Sequence, residues 1–250
     1  MGLHFVLLPG LHGTGQLFEP LLRVMPPEVR RQVIAYPTDR ALGYGALLRL
    51  IEEQTRAWDE MVVVGESFSG ALALRLAAAH PARVRAVVLC ASFIFPSVPR
   101  VLCYLGAPLA LTPMPLPGVG IRCFLSGFRA PRELVRATRS AVWAVRTHVV
   151  SHRILQVSAL NASEALRQCP APILYLAGAR DRLVGVRGVR RIQRIRPDVR
   201  VRTLDAPHLV LQVRPAEAWA EMARFVAEEC GGGGWHAIAG LGASPDNAAP

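Results

Sequence analysis

Residues 61–70 read MVVVGESFSG, and this stretch decides the fold. Its first four residues are large and apolar, which is typical of a central strand buried on both faces of a parallel sheet. The glycine and serines that follow predict a sharp turn, and the Ala-rich run over residues 69–80 predicts a helix. Two small residues, Gly65 and Ser69, stand two positions either side of Ser67, so a strand and a helix can approach closely there. Such a turn lifts the Ser67 hydroxyl out of the sheet edge and over a helix N-terminus, where developing negative charge is stabilised.

The serine at the centre of this turn has two interpretations. One is an N-cap that opens an ordinary helix, and the other is a nucleophile raised on a strained turn. The strand–turn–helix context favours the nucleophile, although the motif reads G-x-S-x-S and Ser69 stands where glycine is more usual. Serine is small enough for that position, so we interpret Ser67 as a nucleophile.

A nucleophilic serine needs a base and an acid that orients the base. In chains with this turn the partners follow in the order serine, acid, histidine. The predicted strand over residues 173–177 is followed by Asp181, and the predicted strand over residues 199–204 is followed by His208. Both residues come at the carboxyl ends of strands, where the sites of α/β sheets lie. We therefore predict that Ser67, Asp181 and His208 are catalytic.

Other polar residues near these motifs have simpler interpretations. Asp205 also follows a strand, but it is one turn from His208, and we interpret it as a turn former. His148 and His152 are spaced i, i+4, as metal ligands on a helix can be, but no third ligand accompanies them in the sequence. We therefore predict no metal site. Because water can release an acyl group from a serine that is assisted by its base and acid, we also predict no cofactor.

The negative charge that develops on an attacked carbonyl oxygen needs two backbone N–H donors. We predict that one is the N–H of Phe68, directly after the nucleophile. The other should come from the loop after the first strand, where residues 8–15 read LPGLHGTG and the glycines let the backbone face the site. A phosphate-binding loop is the alternative, but no Gly-Lys-Ser/Thr follows and the glycine spacing is not the dinucleotide-binding fingerprint.

Apolar runs alternate with helical segments along most of the chain, which indicates a parallel sheet wrapped by helices. The predicted strands span residues 4–8, 31–36, 60–65, 84–91, 173–177 and 199–204. The predicted helices beside the sheet span residues 17–25, 42–58, 69–80, 185–195 and 215–229. We thus predict an α/β fold with a mostly parallel, about six-stranded sheet and helices on both faces.

The stretch between the fourth and fifth predicted strands interrupts this alternation. No strand is predicted there, and helical patterns cover residues 132–139 and 141–155. We predict a single domain over residues 1–230 that carries a helical cap at about 93–168. A flexible tail rich in Gly, Ala and Pro is predicted over residues 231–250.

Part of the predicted cap is strongly apolar. The uncharged run over residues 101–121 is long enough for a membrane span. Its four prolines would break a lipid-exposed helix repeatedly, so we predict an apolar lid segment and no membrane span. Within it, Leu109 and Met114 are predicted to line a pocket for an apolar acyl group.

The 250 residues are 52% hydrophobic and 19% charged, which excludes a disordered chain. The formal net charge is +11, and all 29 basic residues are arginines. Because they are spread without a dense block, we predict no nucleic-acid partner. A cluster of arginines over residues 187–196 has the spacing of a solvated helix face, and a patch for an acidic partner is the alternative. Arginines also recur on the predicted cap from Arg122 to Arg153, either as a solvated surface or as a face that attracts an acidic carrier protein.

The cysteines and the N-terminal residues indicate the cellular compartment in which the protein is expected. The five cysteines are odd in number and form no Cys-x-x-Cys pair, which indicates reduced thiols. The N-terminus lacks the basic stretch and the cleavage site of a signal peptide. We therefore expect a cytoplasmic protein that acts on a small molecule.

With these motifs in place, the chain resembles the α/β-hydrolase superfamily over roughly residues 3–229. Its first loop, residues 8–15, resembles that of a group of short bacterial serine hydrolases in which Asp is usual where this sequence has His12. The general plan is similar to that of the carrier-protein methyl ester esterases of biotin synthesis, whose His-Gly-Trp aligns with residues 9–11. The resemblance implies that the N–H of Leu11 is the second oxyanion donor.

The motifs and the resemblance together predict a serine hydrolase, similar to carboxylesterases and thioesterases. It would cleave a carboxylic ester or thioester through an acyl-enzyme intermediate. Two alternatives stay open: an acyltransferase that uses the same residues, and a catalytically silent member of the fold that serves in binding. The intact set of serine, acid and histidine favours an enzyme.

Overall fold

A computed structural model of the chain describes residues 3–96 and 118–231. Leu109 and Met114, which were predicted to line an acyl pocket, lie outside the described residues. So does the predicted tail beyond Gly231. Within the two described ranges, no helix is long and apolar enough to cross a membrane.

The described strands form one sheet. They are β1 His4–Leu8, β2 Arg31–Val33, β3 Met61–Glu66, β4 Val84–Cys90, β5 Ile173–Gly178 and β6 Arg200–Leu204. Their order is β2-β1-β3-β4-β5-β6, and every neighbouring pair is parallel. The predicted α/β fold with a six-stranded parallel sheet is therefore confirmed.

Helices cover both faces of this sheet. The described α-helices of four or more residues are α1 Glu19–Val24, α2 Tyr44–Thr55, α3 Gly70–Ala79, α4 Arg132–Trp143, α5 Thr147–Ser158, α6 Ser163–Gln168, α7 Gly185–Ile195, α8 Val210–Val213 and α9 Pro215–Glu229. Side chains of α2, α3, α6 and α7 share one hydrophobic core, and those of α1 and α9 share the core on the opposite face.

Strand β3 is central because it supplies both cores. All six of its residues are buried, and Met61 and Val63 enter one core while Val62 and Val64 enter the other. This alternation follows from the period of two along a strand and explains why the run carries no polar face. The register pairs Leu8 with Gly65, so the carboxyl ends of β1 and β3 meet at the same edge of the sheet.

The helices α4 and α5 and a π-helix over Ile121–Ser126 come between β4 and β5 in the chain. Ala141 of α4 packs with Leu17 and Leu209, and Leu125 and Leu134 pack against the same cluster. This small hydrophobic cluster thus joins the predicted cap region to the residue that follows His208.

Several predicted boundaries differ from the structure. Strand β2 ends at Val33 rather than at residue 36, because the chain turns toward the first loop, where the N–H of Tyr36 donates to the carbonyl of Gly13. Helix α4 continues past Arg139 to Trp143. The short helices α6 and α8 were not predicted, since six and four residues are too few for a clear hydrophobic period.

Candidate active site

The turn between β3 and α3 has the geometry that the sequence predicted. Ser67 has a φ of 48°, and Ala91 is the other non-glycine residue with a positive φ among those the structure describes. Such a conformation is strained for a residue with a Cβ. A Cβ at Gly65 would lie only 2.7 Å from the carbonyl oxygen of Ser69, so glycine allows the strand and helix to approach this closely.

The structure brings the three predicted catalytic side chains together. His208 Nε2 lies 2.9 Å from Ser67 Oγ, and His208 Nδ1 lies 2.9 Å from Asp181 Oδ2. Because a carboxylate only accepts hydrogen bonds, Nδ1 carries the proton that is donated to Asp181. In the neutral imidazole, Nε2 is then the unprotonated nitrogen and can accept the Ser67 hydroxyl proton.

The carboxyl group of Asp181 is held ionised. Burial alone would raise its pKa, but hydrogen bonds from His208 and from the backbone N–H groups of Leu183 and Val184 outweigh burial and lower the pKa. The two N–H groups donate to Oδ1 at 2.8 and 3.0 Å. Asp205, interpreted as a turn former, is more than half exposed and forms ion pairs with Arg180 and Arg214 instead.

The acid and the histidine are close because their loops are bonded to each other. The N–H of Ala179 donates to the carbonyl of Leu204 at 2.8 Å, and the N–H of Arg180 donates to the carbonyl of Ala206 at 2.9 Å. A Cβ at Gly178 would lie 2.3 Å from the carbonyl oxygen of Pro207. Glycine at the end of β5 therefore lets the histidine loop cross directly over the strand.

The first loop lies beside the nucleophile, as predicted for an oxyanion loop. A Cβ at Gly10 would lie 3.8 Å from the Cβ of Ser67. Phe68 is buried, its ring stacks on Tyr44 at 4.7 Å, and its carbonyl accepts the Tyr44 hydroxyl proton at 3.2 Å. The roles of the Leu11 and Phe68 N–H groups as oxyanion donors stay predictions.

The Ser69 side chain is small enough for this turn and also forms two hydrogen bonds. Its hydroxyl donates to the carbonyl oxygen of Pro9 in the first loop, and the Tyr36 hydroxyl lies 2.6 Å from its oxygen. Because the single Ser69 proton is used on Pro9, Tyr36 is the donor to Ser69. A glycine here would leave both partners without this bond, so the departure from G-x-S-x-G adds a tie between the turn and the first loop.

Replacing Ser69 by alanine is expected to lower the free energy of unfolding by about 1–3 kcal/mol, because two buried polar groups lose their partner. Urea unfolding of Ser69→Ala, Tyr36→Phe and the double variant measures the effect. Since both single changes break the same chain of bonds, the double variant should lose less than the sum of the two. If the double variant loses the full sum of the two single-variant losses in unfolding free energy, the hydrogen-bond chain from Tyr36 through Ser69 to Pro9 is contradicted.

Arg153 corrects the sequence analysis. It was counted among the solvated or partner-binding arginines of the predicted cap, but it is completely buried. Its guanidinium donates to the carbonyl oxygens of Leu11, His12 and Pro37, each at 2.9 Å. The same group lies 5.7 Å from the centre of the Tyr36 ring. Arg153 therefore attaches helix α5 to the loop that carries the predicted oxyanion donor.

His12 is buried in the first loop as a neutral imidazole. Its Nδ1 accepts the backbone N–H of Thr14 at 3.2 Å and lies 3.0 Å from the Thr14 hydroxyl. Burial and the neighbouring positive charge of Arg153 lower the pKa of His12 from 6.5 to about 4. At neutral pH, His12 is thus a neutral hydrogen-bonding residue of the loop and not a charged one.

This pKa predicts acid sensitivity. The unfolded chain takes up a proton on His12 below its pKa of 6.5, whereas the folded chain does so only near 4. The free energy of unfolding should therefore fall as the pH drops through this window, by roughly 3 kcal/mol from this residue. We expect His12→Asn to lose that part of the pH dependence, measured by urea unfolding between pH 7 and 4. His148→Asn, which removes an exposed imidazole, is the control; parallel curves for wild type and His12→Asn would contradict the prediction.

Glu66 is a site residue that the sequence analysis missed. It is buried directly before the nucleophile, and Gln212 of α8 donates to its Oε1 at 2.8 Å. Burial raises the pKa of Glu66, while the hydrogen bonds from Gln212 and the backbone of Gly10 and the proximity of His208 oppose this rise. The signal in the sequence was an acidic residue that continues the buried face of Val62 and Val64.

Of the two histidines considered as metal ligands, His148 is engaged by the backbone of a distant loop. Exposed His148 donates from Nε2 to the carbonyl of Asp39 at 3.1 Å. Over residues 3–96 and 118–231, no three His, Cys, Asp or Glu side chains are grouped as metal ligands.

The sequence matches the model of the alpha/beta hydrolase family over residues 5–222. The chain therefore belongs to this family, as the turn around Ser67 and the parallel sheet indicated. The narrower resemblance of the first loop to one bacterial group stays a prediction. No protein of curated function matches the sequence.

Solved structures show the same fold. A thermophilic esterase from Thermogutta terrifontis has a TM-score of 0.78 at 18% identity, over 91% of this chain and 90% of the esterase. A hydrolase from Oleispira antarctica has a TM-score of 0.80 at 11% identity, over 90% and 91% of the two chains. The enol-lactonase from Burkholderia xenovorans has a TM-score of 0.74 at 18% identity, over 92% of each chain. At these identities the likeness concerns the fold.

Proposed function

We propose that the protein is a serine hydrolase that cleaves a carboxylic ester or thioester through an acyl-enzyme intermediate. The observation that carries this proposal is the pair of 2.9 Å hydrogen bonds that link Ser67 to His208 and His208 to Asp181. They occur at the carboxyl edge of a parallel sheet in a member of the alpha/beta hydrolase family. Family membership and fold support the proposal, and the side-chain geometry supplies its chemistry.

In the first half of the reaction, Ser67 Oγ attacks the acyl carbonyl carbon while His208 Nε2 takes the hydroxyl proton. The carbonyl oxygen becomes an oxyanion, which the N–H groups of Leu11 and Phe68 stabilise. The tetrahedral intermediate then collapses as the bond to the leaving oxygen or sulfur breaks. His208 gives its proton to that atom, and the acyl group remains on Ser67.

In the second half, water replaces the leaving group. His208 takes a proton from the water, whose oxygen attacks the acyl carbon and again produces an oxyanion. Collapse breaks the bond to Ser67 Oγ, which recovers its proton from His208. Asp181 stays ionised throughout and stabilises the imidazolium that forms twice per cycle. No cofactor takes part in these steps.

The proposed hydrolase also has the domain organisation that the sequence predicts. The sequence predicts a single domain over residues 1–230 with a helical cap at about 93–168 over one edge of the sheet. That Leu109 and Met114, which lie outside the described residues, line a pocket for an apolar acyl group stays a prediction from the sequence. A small-molecule ester or thioester is the substrate in this view, and an acidic carrier protein that delivers the acyl group stays a prediction.

The proposal is tested by a hydrolysis panel of aryl esters and acyl thioesters of graded chain length. Wild-type protein should cleave at least one series with saturation kinetics, and Ser67→Ala should cleave none above the uncatalysed rate. A burst of leaving group whose following phase is faster with an added alcohol would indicate acyl transfer rather than hydrolysis. No turnover across both series by the wild type would contradict an enzyme of this class.

A further inference from the structure

A cavity of about 460 Å³ lies between the segment that follows β4 and the first turns of α7. Its walls include the apolar residues 93–96 and three arginines, Arg182, Arg187 and Arg191. We call it the arginine cavity. Its volume lies in the usual range for small-molecule sites, which is roughly 300–1,000 Å³.

The charge of the arginine cavity is not balanced by the described part of the chain. No Asp or Glu is found among its described lining residues. None of its three arginines forms an ion pair with a described carboxylate, whereas nearby Arg180 and Arg196 are each paired with an aspartate. Positive charge concentrated on an apolar wall without a counter-ion is suited to an anionic ligand.

Two of the three guanidinium groups lie over aromatic rings. The Arg191 guanidinium carbon lies 4.4 Å from the centre of the Phe95 ring, and that of Arg182 lies 5.7 Å from the centre of the Phe128 ring. Stacking uses the face of a guanidinium and leaves the N–H groups at its edge free to donate. Arg191 is therefore held over Phe95, a wall of the cavity, while its edge donors stay available to a carboxylate or phosphate; Arg182 also donates from Nη1 to Cys123 Sγ at 3.6 Å.

Two wall residues of the arginine cavity are sequence neighbours of residues in the candidate active site. Phe93 follows Ser92, whose hydroxyl donates to the carbonyl oxygen of Ser67 at 2.6 Å. Arg182 follows Asp181, which accepts the His208 hydrogen bond. The walls of the cavity are thus built from residues next to those that position the nucleophile and the base.

We propose that the arginine cavity binds the negatively charged end of the substrate, a carboxylate or phosphate carried on an apolar chain. The anion lies against the edges of Arg187 and Arg191, and the apolar chain packs on Phe93 and Ile94. This inference rests on the proposed function, because it makes the substrate an ester or thioester with a second, anionic group.

The kinetic test compares p-nitrophenyl hexanoate with the mono-p-nitrophenyl ester of adipic acid, which has the same chain length and a terminal carboxylate. A third ester with a terminal phosphate separates the two anions. The double variant Arg187→Ala/Arg191→Ala should lower kcat/KM for an anionic ester by about 10- to 100-fold, mainly through KM, since charge-assisted hydrogen bonds are lost. The neutral ester should change less than about twofold. A larger effect on one anion identifies the preferred group.

The matched control is Arg190→Ala/Arg194→Ala, which removes two exposed charges from the same helix but outside the arginine cavity. It should leave the difference between charged and neutral esters unchanged. An equal loss in both double variants would show a general charge effect and overturn the proposal, as would equal kcat/KM for neutral and anionic esters in wild type.

A binding measurement tests the arginine cavity independently of whether the protein hydrolyses esters. The inactive variant Ser67→Ala is titrated calorimetrically with monomethyl adipate, with and without the Arg187→Ala/Arg191→Ala changes. Binding that weakens about tenfold or more with those changes supports the site even if no ester is cleaved. Unchanged or undetectable binding overturns the site, whatever the hydrolysis panel shows.

Discussion

Replacing Ser67 by alanine is expected to lower kcat for ester hydrolysis by about 10⁴–10⁶-fold, because the variant lacks the hydroxyl on which the proposed acyl-enzyme forms. His208→Ala should cause a loss of the same order, since Ser67 then has no base for its proton. Asp181→Asn should cost about 10⁴-fold, because the amide no longer favours the imidazole tautomer with its proton on Nδ1. Steady-state kinetics on the best ester of the panel measures all three.

The losses of kcat in the single variants are expected not to multiply in the double variant, which gives a stricter test. Because Ser67 and His208 act as one unit, the double alanine variant should be about as slow as either single variant. Asp205→Asn is the matched control for Asp181→Asn, since Asp205 also follows a strand but pairs with Arg180 and Arg214 at the surface. Asp205→Asn should stay within about twofold of wild type. Multiplicative losses in the double variant, or a large loss in Asp205→Asn, would contradict the triad.

Arg153→Met is expected to lower kcat by about 100-fold while KM changes only a few-fold. The change removes the donors to the carbonyl oxygens of Leu11 and His12, so the first loop can no longer hold the predicted Leu11 N–H in place. Loss of one oxyanion donor costs about 10²–10³-fold in kcat, and its effect falls on the transition state. Arg153 acts through the loop, so it is a positioning residue.

Two further variants separate positioning from stability. Arg153→Lys retains the charge and one donor group and should recover part of kcat, whereas Arg136→Met, on the exposed surface of α4, should leave kcat unchanged. Urea unfolding of each variant gives the fraction folded under assay conditions, and kcat is corrected for it. If the corrected kcat of Arg153→Met equals that of wild type, Arg153 only stabilises the fold.

The proximity of Ser67, Asp181 and His208 could be predicted from sequence because each of them follows the end of a strand. In a parallel sheet, the residues after β3, β5 and β6 reach the same edge whatever the length of the connections. Order and placement were therefore enough to bring Ser67, Asp181 and His208 to one place. The Val-rich run of β3 identified the central strand for a similar reason, since a strand buried on both faces has no polar alternation.

The supporting residues could not be predicted in this way because their partners are distant in the chain. The acceptors of Arg153 lie 116 to 142 positions away, and no local pattern indicates such bonds. Arg153 stands four residues after buried Val149 on the same helix face, but an arginine at that position is normally solvated. The hydrogen bond from Ser69 to Pro9 could not be predicted from the sequence either, because the turn requires only that residue 69 be small.

The most direct measurement is the mass of the protein after reaction with an alkyl fluorophosphonate, which transfers a phosphonyl group to an activated serine and releases fluoride. We predict one phosphonyl group per chain, located by peptide mass spectrometry on Ser67. The rate should fall by at least about 10³-fold in His208→Ala, which lacks the base. Ser67→Ala should gain no mass. A wild-type protein that gains no phosphonyl group, or gains it on a residue other than Ser67, would contradict the assignment of Ser67 as the nucleophile.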